Sequence, residues 1–309
     1  MAGKHLNTNG QRDDLSSGAV GTVSSVPERT SSKRWTMRRI ISNVLIFVGI
    51  ALLLVAGGMW GYARYRYWMQ DQINEKLAAH VTVSETAEGC PVDVDWAALK
   101  AINDDVVGWI YVPGTVVNYP VYQGETNEDY LRMNAEGEWT VGGQIFLDAE
   151  STAPGMVDNQ SILYGHHLQD GTMFQPLYLL DDQEVFDKTD TIWYLTEKNT
   201  YELEPLMLYW VEPYDQTVRQ FRFPTVEAFR AYLNEKLGLA VTKREDAAEL
   251  IASANRVLTM STCNYYDGYG RSILVAIEKP KGSISGGTNA EQTQDAAKDA
   301  AADAAKTSN

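Results

Sequence analysis

Cys263 ends the apolar run "VLTMSTC", and Arg271 opens the next run, "RSILVAIE", across the loop "NYYDGYG". The thiolate is the attacking form of cysteine. A fixed cation beside it favours that form and can also donate to an oxyanion as it develops. Upstream, "SILYGHH" ends another apolar run in a histidine doublet, His166 and His167. Neighbouring residues at a strand end point to opposite sides, so one of the two faces a given site. Each residue has a plain alternative: a cysteine that only packs, a surface histidine, an arginine that closes a hairpin. Taken together, in the order His, Cys, Arg, they supply an acid/base, a nucleophile and an oxyanion clamp for acyl transfer. No serine stands in a G-x-S-x-G elbow or an S-x-x-K pair, so serine chemistry has no comparable signal.

The elements that must position these groups are short and mostly extended. "VVGWIYVPGTVVNYPVYQG" reads as two strands around a Pro-Gly turn, and "GGQIFLDAE", "NQSILYGHH", "DTIWYLTEK" and "TYELEPLMLYWVEP" as four more. "NRVLTMST" and "RSILVAIE" complete eight runs. "DVDWAALKAIN" spaces Trp96, Leu99 and Ile102 as a short helix with an acidic start. "PTVEAFRAYLNEKLGL" puts Val226, Phe229, Leu233 and Leu237 on one helical face behind Pro224, and "REDAAELIASA" is a further helix. Many short strands with few helices predict a mainly β fold, a barrel or sandwich with helical additions.

The chain has 309 residues, is 44% apolar and carries a net charge of −15, which excludes a nucleic-acid backbone as partner. Residues 40–63 hold no charge and are long enough to cross a bilayer as a helix. Lys33, Arg34, Arg38 and Arg39 precede them, so the positive-inside rule predicts a cytoplasmic N-terminus and an extracellular bulk. Trp60, Tyr62, Tyr65, Tyr67 and Trp68 then form an aromatic belt at the outer interface. A cleaved signal peptide is the alternative, with an unusually long apolar core and no clean cleavage site. The expected organisation is a disordered cytoplasmic tail (1–38), a transmembrane signal anchor (39–63), an extracellular stalk and linker (64–91), a folded domain (92–280) and a low-complexity tail (281–309). The two cysteines, Cys90 and Cys263, could pair as a disulfide, which would block the nucleophile.

"TMSTC" (259–263) resembles the sortase signature T-L-x-T-C, and "ILYGHHLQDGTMF" resembles that family's histidine segment. "DVVGWIYVPGTVVNYPVYQGETNEDYL" followed by "GGQIFLD" is similar to the N-terminal half of the class B sortase domain. The resemblance implies a closed eight-stranded β-barrel with N-terminal helices and a helix in the loop before the last two strands. It implies Cys263 as nucleophile, His166 (the histidine directly after Tyr-Gly) as acid/base, and Arg271 as oxyanion stabiliser. Asn127, Leu131, Tyr164 and Ser261, with Thr262, resemble positions lining the substrate groove. Met260 stands where the family has Leu, a swap that conserves volume; Asn264 follows the cysteine where other polar residues are common.

The implied activity is that of a membrane-anchored cysteine transpeptidase. It would cleave a C-terminal sorting motif of secreted proteins after Thr and pass the acyl group to a cell-wall peptide amine, with no cofactor and no metal. Other readings are a class B enzyme that polymerises pilins, an exported cysteine peptidase acting on wall peptides, and a non-enzymatic anchored binding domain. The dedicated pilin polymerases carry a C-terminal span and an upstream lid motif, neither of which is evident in these residues. Wall peptidases run Cys before His, and a binding domain has no use for the three-residue set.

Overall fold

The computed structural model describes residues 32–84, 89–264 and 270–279. Most of both expected tails therefore lies outside the described residues. The chain falls into two compact units, Met1–Met59 and Trp60–Asn309. Helix α1 (Ser32–Ala78) includes the charge-free run; no proline interrupts it, and the helix formers Leu and Ala recur along it. It is the one helix among the described residues long and apolar enough to cross a membrane.

In the second unit, strand β1 (Val81–Val83) pairs antiparallel with β2 (Val92–Val94). Helix α2 (Trp96–Ile102) follows, its N-terminus capped by Asp95, whose side chain accepts from the Ala98 N–H. Eight strands then build the barrel: β3 (Val106–Tyr111), β4 (Asn118–Tyr122), β5 (Ile145–Leu147), β6 (Gln160–Tyr164), β7 (Ile192–Leu195), β8 (Thr200–Val211), β10 (Val257–Asn264) and β11 (Gly270–Glu278). Their order is β11-β10-β6-β5-β4-β3-β7-β8, and β11 pairs back onto β8 to close the ring. These are the eight runs expected from the sequence. Closure leaves no free edge in the ring. Strand β9 (Ala240–Lys243) is an addition, pairing with the half of β8 beyond its β7 contact.

Alternation along the strands separates three apolar clusters. Ile110, Val121, Leu163, Leu208, Leu258, Met260 and Leu274 fill the barrel interior. Ile162, Tyr209, Val257, Ile273 and Val275 face outward beneath helices α5 (Val226–Leu237) and α6 (Ala247–Ser253). Trp109, Tyr122, Phe146 and Trp193 form the third, which Ile73 and Leu77 of α1 and Leu99 of α2 cover. On α5 the expected face holds, with Phe229 and Leu233 buried and Tyr232 and Lys236 widening it. Its cap is Thr225 rather than Pro224, because the Thr225 hydroxyl accepts from the Ala228 N–H.

Two local expectations change. Tyr67, placed in the aromatic belt by sequence, is half-buried against the barrel's interior cluster, whereas Trp60, Tyr62, Tyr65 and Trp68 stay exposed. The segment 175–188, for which no element was expected, folds into helices α3 (Gln175–Tyr178) and α4 (Gln183–Lys188). Each is too short to display a hydrophobic stripe.

Candidate active site

Three neighbouring strands carry the three groups to one rim of the barrel. Strand β10 runs parallel to β6, with Tyr164 opposite Ser261 as their last pair. The Gly165 N–H continues the contact by donating to the Ser261 carbonyl at 3.2 Å. His166 follows directly, at the exit of β6 beside β10. On the other side, Cys263 is the direct antiparallel partner of Arg271. Period-two alternation puts Ser261 and Arg271 on the outward face with Val257 and Ile273. The strand continues one residue beyond Cys263, so the cysteine sits inside the ladder rather than in the loop. The loop "YYDGY", residues 265–269, lies outside the described residues.

Arg271 is aimed by its own backbone contacts. Its strand also pairs with β8, opposite Val211, and its Nε donates to the Pro213 carbonyl at 3.0 Å. That bond occupies one of the guanidinium donors and leaves the terminal amino groups for another acceptor.

His166 is half-buried, and its Nε2 lies 2.7 Å from the Leu131 carbonyl oxygen. A carbonyl accepts, so in the neutral imidazole the proton resides on Nε2 and the lone pair on Nδ1. Burial pushes the imidazole below its usual value, and the charges of Arg132 and Arg271 push it further; the Leu131 carbonyl opposes this in part. The charge of Arg271 is thus felt at His166, as the strand order requires. Gly165 has to be glycine here: a Cβ would come within 2.5 Å of Ile145 Cδ1 and 2.6 Å of the Phe174 ring. His167 turns aside, bridging to Met173 and lying against the Tyr178 ring.

The residues expected to line a groove divide. Tyr164 and Asn127 converge on Asp148, which is completely buried at the end of β5. The Tyr164 hydroxyl donates to Asp148 Oδ2 at 2.8 Å and Asn127 Nδ2 to the same oxygen at 3.1 Å. Asn127 Oδ1 accepts from the Ala149 N–H, so both ends of that amide are engaged. Arg219 closes the network with two bonds of 2.9 Å to the two carboxylate oxygens. Burial alone would raise the Asp148 carboxyl. The Arg219 guanidinium, the Glu150 N–H and the Tyr164 hydroxyl outweigh it and hold the group below the usual carboxylate range. Leu131 contributes its carbonyl to His166. Ser261 lies on the outward face, and its buried hydroxyl has no hydrogen-bond partner among the described residues. Thr262 alternates to the inward face with Met260, so the structure does not bring it to the others.

Asp148 and Arg219 were not among the residues expected at the site. Asp148 closes the apolar run "GGQIFLD", where a carboxylate at a strand exit is a recognisable candidate for burial. Arg219 lies in the irregular "YDQTVRQF", and its partner is set by the fold. Cys90 is a free thiol beside β2, so the alternative disulfide with Cys263 is not formed. Burial raises its pKa. Among the described residues, no three His, Cys, Asp or Glu side chains gather as a metal site.

A family model described as the Sortase domain matches residues 110–279. Sortase B of Staphylococcus aureus is 29% identical over 249 residues, spanning 78% of this chain and 97% of that protein. Among solved structures, sortase B from Bacillus anthracis in complex with AAEK1 superposes with a TM-score of 0.56 at 25% identity, covering 70% of this chain and 99% of that one. The Staphylococcus aureus sortase B–substrate complex gives a TM-score of 0.54 at 28% identity, covering 71% and 97%.

Proposed function

The chain belongs to the sortase family, in its class B, and from that premise we propose that it is a membrane-anchored transpeptidase using Cys263, His166 and Arg271. Sortases are cysteine transpeptidases that act on sorting-motif substrates and peptide acceptors. What supports the residue assignment is that Cys263 is the direct ladder partner of Arg271, and that β6, which leads into His166, runs alongside β10.

The Cys263 thiolate attacks the carbonyl carbon of the motif's Thr, forming a C–S bond and a tetrahedral oxyanion. The terminal amino groups of Arg271 and backbone N–H groups hold that oxyanion. His166 enters this step as the imidazolium, paired with the thiolate; as the C–N bond breaks, its Nδ1 proton passes to the leaving amine, and a thioacyl-enzyme with neutral His166 remains. An amine of a cell-wall peptide then attacks the thioester, His166 accepts its proton, and the C–S bond breaks to return the thiolate and release the new amide. Because Nε2–H is held by the Leu131 carbonyl, Nδ1 is the nitrogen that exchanges the proton.

Anchoring is proposed through residues 40–63 of α1, with the N-terminus cytoplasmic and the catalytic domain outside. Supporting it, Phe47 and Leu53 are 72% and 73% exposed, an apolar surface that calls for lipid. Tethering holds the enzyme where exported substrates emerge. The division into a cytoplasmic tail, an anchor, an extracellular segment and a catalytic domain follows from the same reading.

The test incubates the full chain in nanodiscs with a panel of quenched sorting peptides and amines, with mass spectrometry of the products. Amide product from the wild type and none from Cys263→Ala supports the reading. Product undiminished in Cys263→Ala, or absent from the wild type across the panel, overturns it.

A further inference from the structure

The extracellular end of α1 is built into the support of His166. Gln70, seven residues or about two helical turns beyond the apolar run, is completely buried although it is polar. Its Oε1 accepts from the Gly142 N–H at 2.9 Å and its Nε2 donates to the Gly143 carbonyl at 3.2 Å. Buried amides are retained where both ends are satisfied, because a stranded one costs stability. Gln70 therefore acts as a two-point clamp on the backbone at 142–143.

That backbone lies directly against the residue that holds His166. Gly143 has φ of +54°, and a Cβ there would collide with the carbonyl oxygens of Tyr130 and Leu131. The Gln144 N–H donates to the Tyr130 carbonyl at 3.0 Å, and the Thr140 N–H to the Arg132 carbonyl at 2.8 Å. Residues 130–144 thus form a ribbon whose one limb is clamped by Gln70 and whose other limb offers the Leu131 carbonyl to His166 Nε2.

Further contacts from α1 reach the same ribbon and the far side of the histidine loop. The Arg66 guanidinium lies 4.2 Å from the centre of the Trp139 ring, and Lys76 pairs with Glu136. Asn74, which accepts from Gln70 at 3.2 Å, directs its amide to the Met173 sulfur at 3.9 Å. Met173 bridges to His167, and the Phe174 N–H donates to the His166 carbonyl at 2.9 Å. The loop bearing His166 is gripped from both sides by one helix.

We infer that Gln70 is a positioning residue for catalysis: through Gly142 and Gly143 it sets the Leu131 carbonyl, and so the tautomer and orientation of His166. This rests on the transpeptidase reading and extends it, since it makes the membrane-proximal helix part of the catalytic apparatus rather than a tether. A misplacement of about 1 Å at a proton-transfer group is enough to cost rate without loosening substrate binding.

The experiment compares the full chain in nanodiscs as wild type, Gln70→Met, which fills the space but removes both bonds, and Gln70→Glu, which keeps the acceptor for Gly142. Gln72→Met, on the exposed face of the same helix, is the control. Steady-state kinetics are paired with 15N NMR of the His166 ring, recorded in a Cys263→Ala background so that it needs no turnover. The expected result is a kcat lower by on the order of tenfold in Gln70→Met and less in Gln70→Glu, with KM unchanged and the His166 ring signals displaced. Wild-type kcat in both variants overturns the inference, and so does a lowered kcat with His166 signals unmoved. If Gln70→Met fails to fold, Gln70→Glu decides by the same two readings. A wild type without activity refutes the transpeptidase reading, whereas the ring signals still judge the clamp.

Discussion

Cys263 and Arg271 are direct partners in the antiparallel ladder of β10 and β11, although a loop separates them in sequence. In such a ladder, opposite residues lie on one face with Cβ atoms about 5 Å apart. Arg271 is further tied to the Pro213 carbonyl, so the cation is held at one place along the rim.

Arg271→Ala should therefore lower kcat/KM by on the order of 10²–10³, the loss typical of an oxyanion donor, with little change in Tm. Arg271→Lys should fall between, because one ammonium cannot both reach Pro213 and present a fork. Steady-state rates on a quenched sorting peptide check this; an alanine variant as active as the wild type would remove Arg271 from the mechanism.

The imidazole of His166 should titrate below the usual value of about 6.5, chiefly because it is buried. Arg271 is a positive neighbour and disfavours the imidazolium, so Arg271→Met should raise that midpoint. Arg132→Gln should move it the same way, through the second charge that reaches the ring. NMR titration of the ring nitrogens measures both shifts, and a fall in either variant contradicts the geometry.

Removing Arg219 should strand the buried carboxylate of Asp148. We expect Arg219→Met to cost about 3 kcal/mol, the low end for a broken buried pair because the Arg219 side chain is itself 27% exposed. That would lower Tm by roughly 5–10 °C. Asp148→Asn added to Arg219→Met should restore part of it, since no charge is then buried and the Tyr164 hydroxyl keeps an acceptor. In the wild type, Asp148 is held below its unfolded value, so its contribution is complete above about pH 4 and is lost as pH falls through the lowered value. Thermal melts against pH in the three proteins test the sign.

The two cysteines should differ in reactivity. Cys90 is partly buried and its thiol is pushed upward, which leaves little thiolate near neutrality. At pH 7 a limiting amount of iodoacetamide should label the peptide containing Cys263 well before that containing Cys90. Peptide mapping reads the order, and preferential labelling of Cys90 would count against an activated Cys263.

The eight barrel strands and helices α2, α5 and α6 were all legible in the chain. Each strand carries its own period of two and its own turn residues, and each helix its own stripe, so these signals are local. β1, β2 and β9 are only three or four residues long and escaped for want of a pattern. Strand ends also indicated that Cys263 and Arg271 would meet if the last two runs paired, because a hairpin brings near neighbours together.

What joins distant segments was decided by the tertiary structure. The amide of Gln70 meets Gly143 across 73 residues, and Arg219 meets Asp148 across 71. No periodicity marks either partner, for a polar side chain chosen for burial looks in sequence like one chosen for solvent. The same holds for Asn127 and Tyr164, whose types resembled groove residues but whose polar atoms are held by a carboxylate hidden until β5 and β6 pair. Sequence alone determined which groups could be proposed for acyl transfer and which strand each stands on or follows. Closure of the ring, β11 onto β8, decided which buried groups hold them, because only packing selects among polar partners that local pattern leaves equivalent.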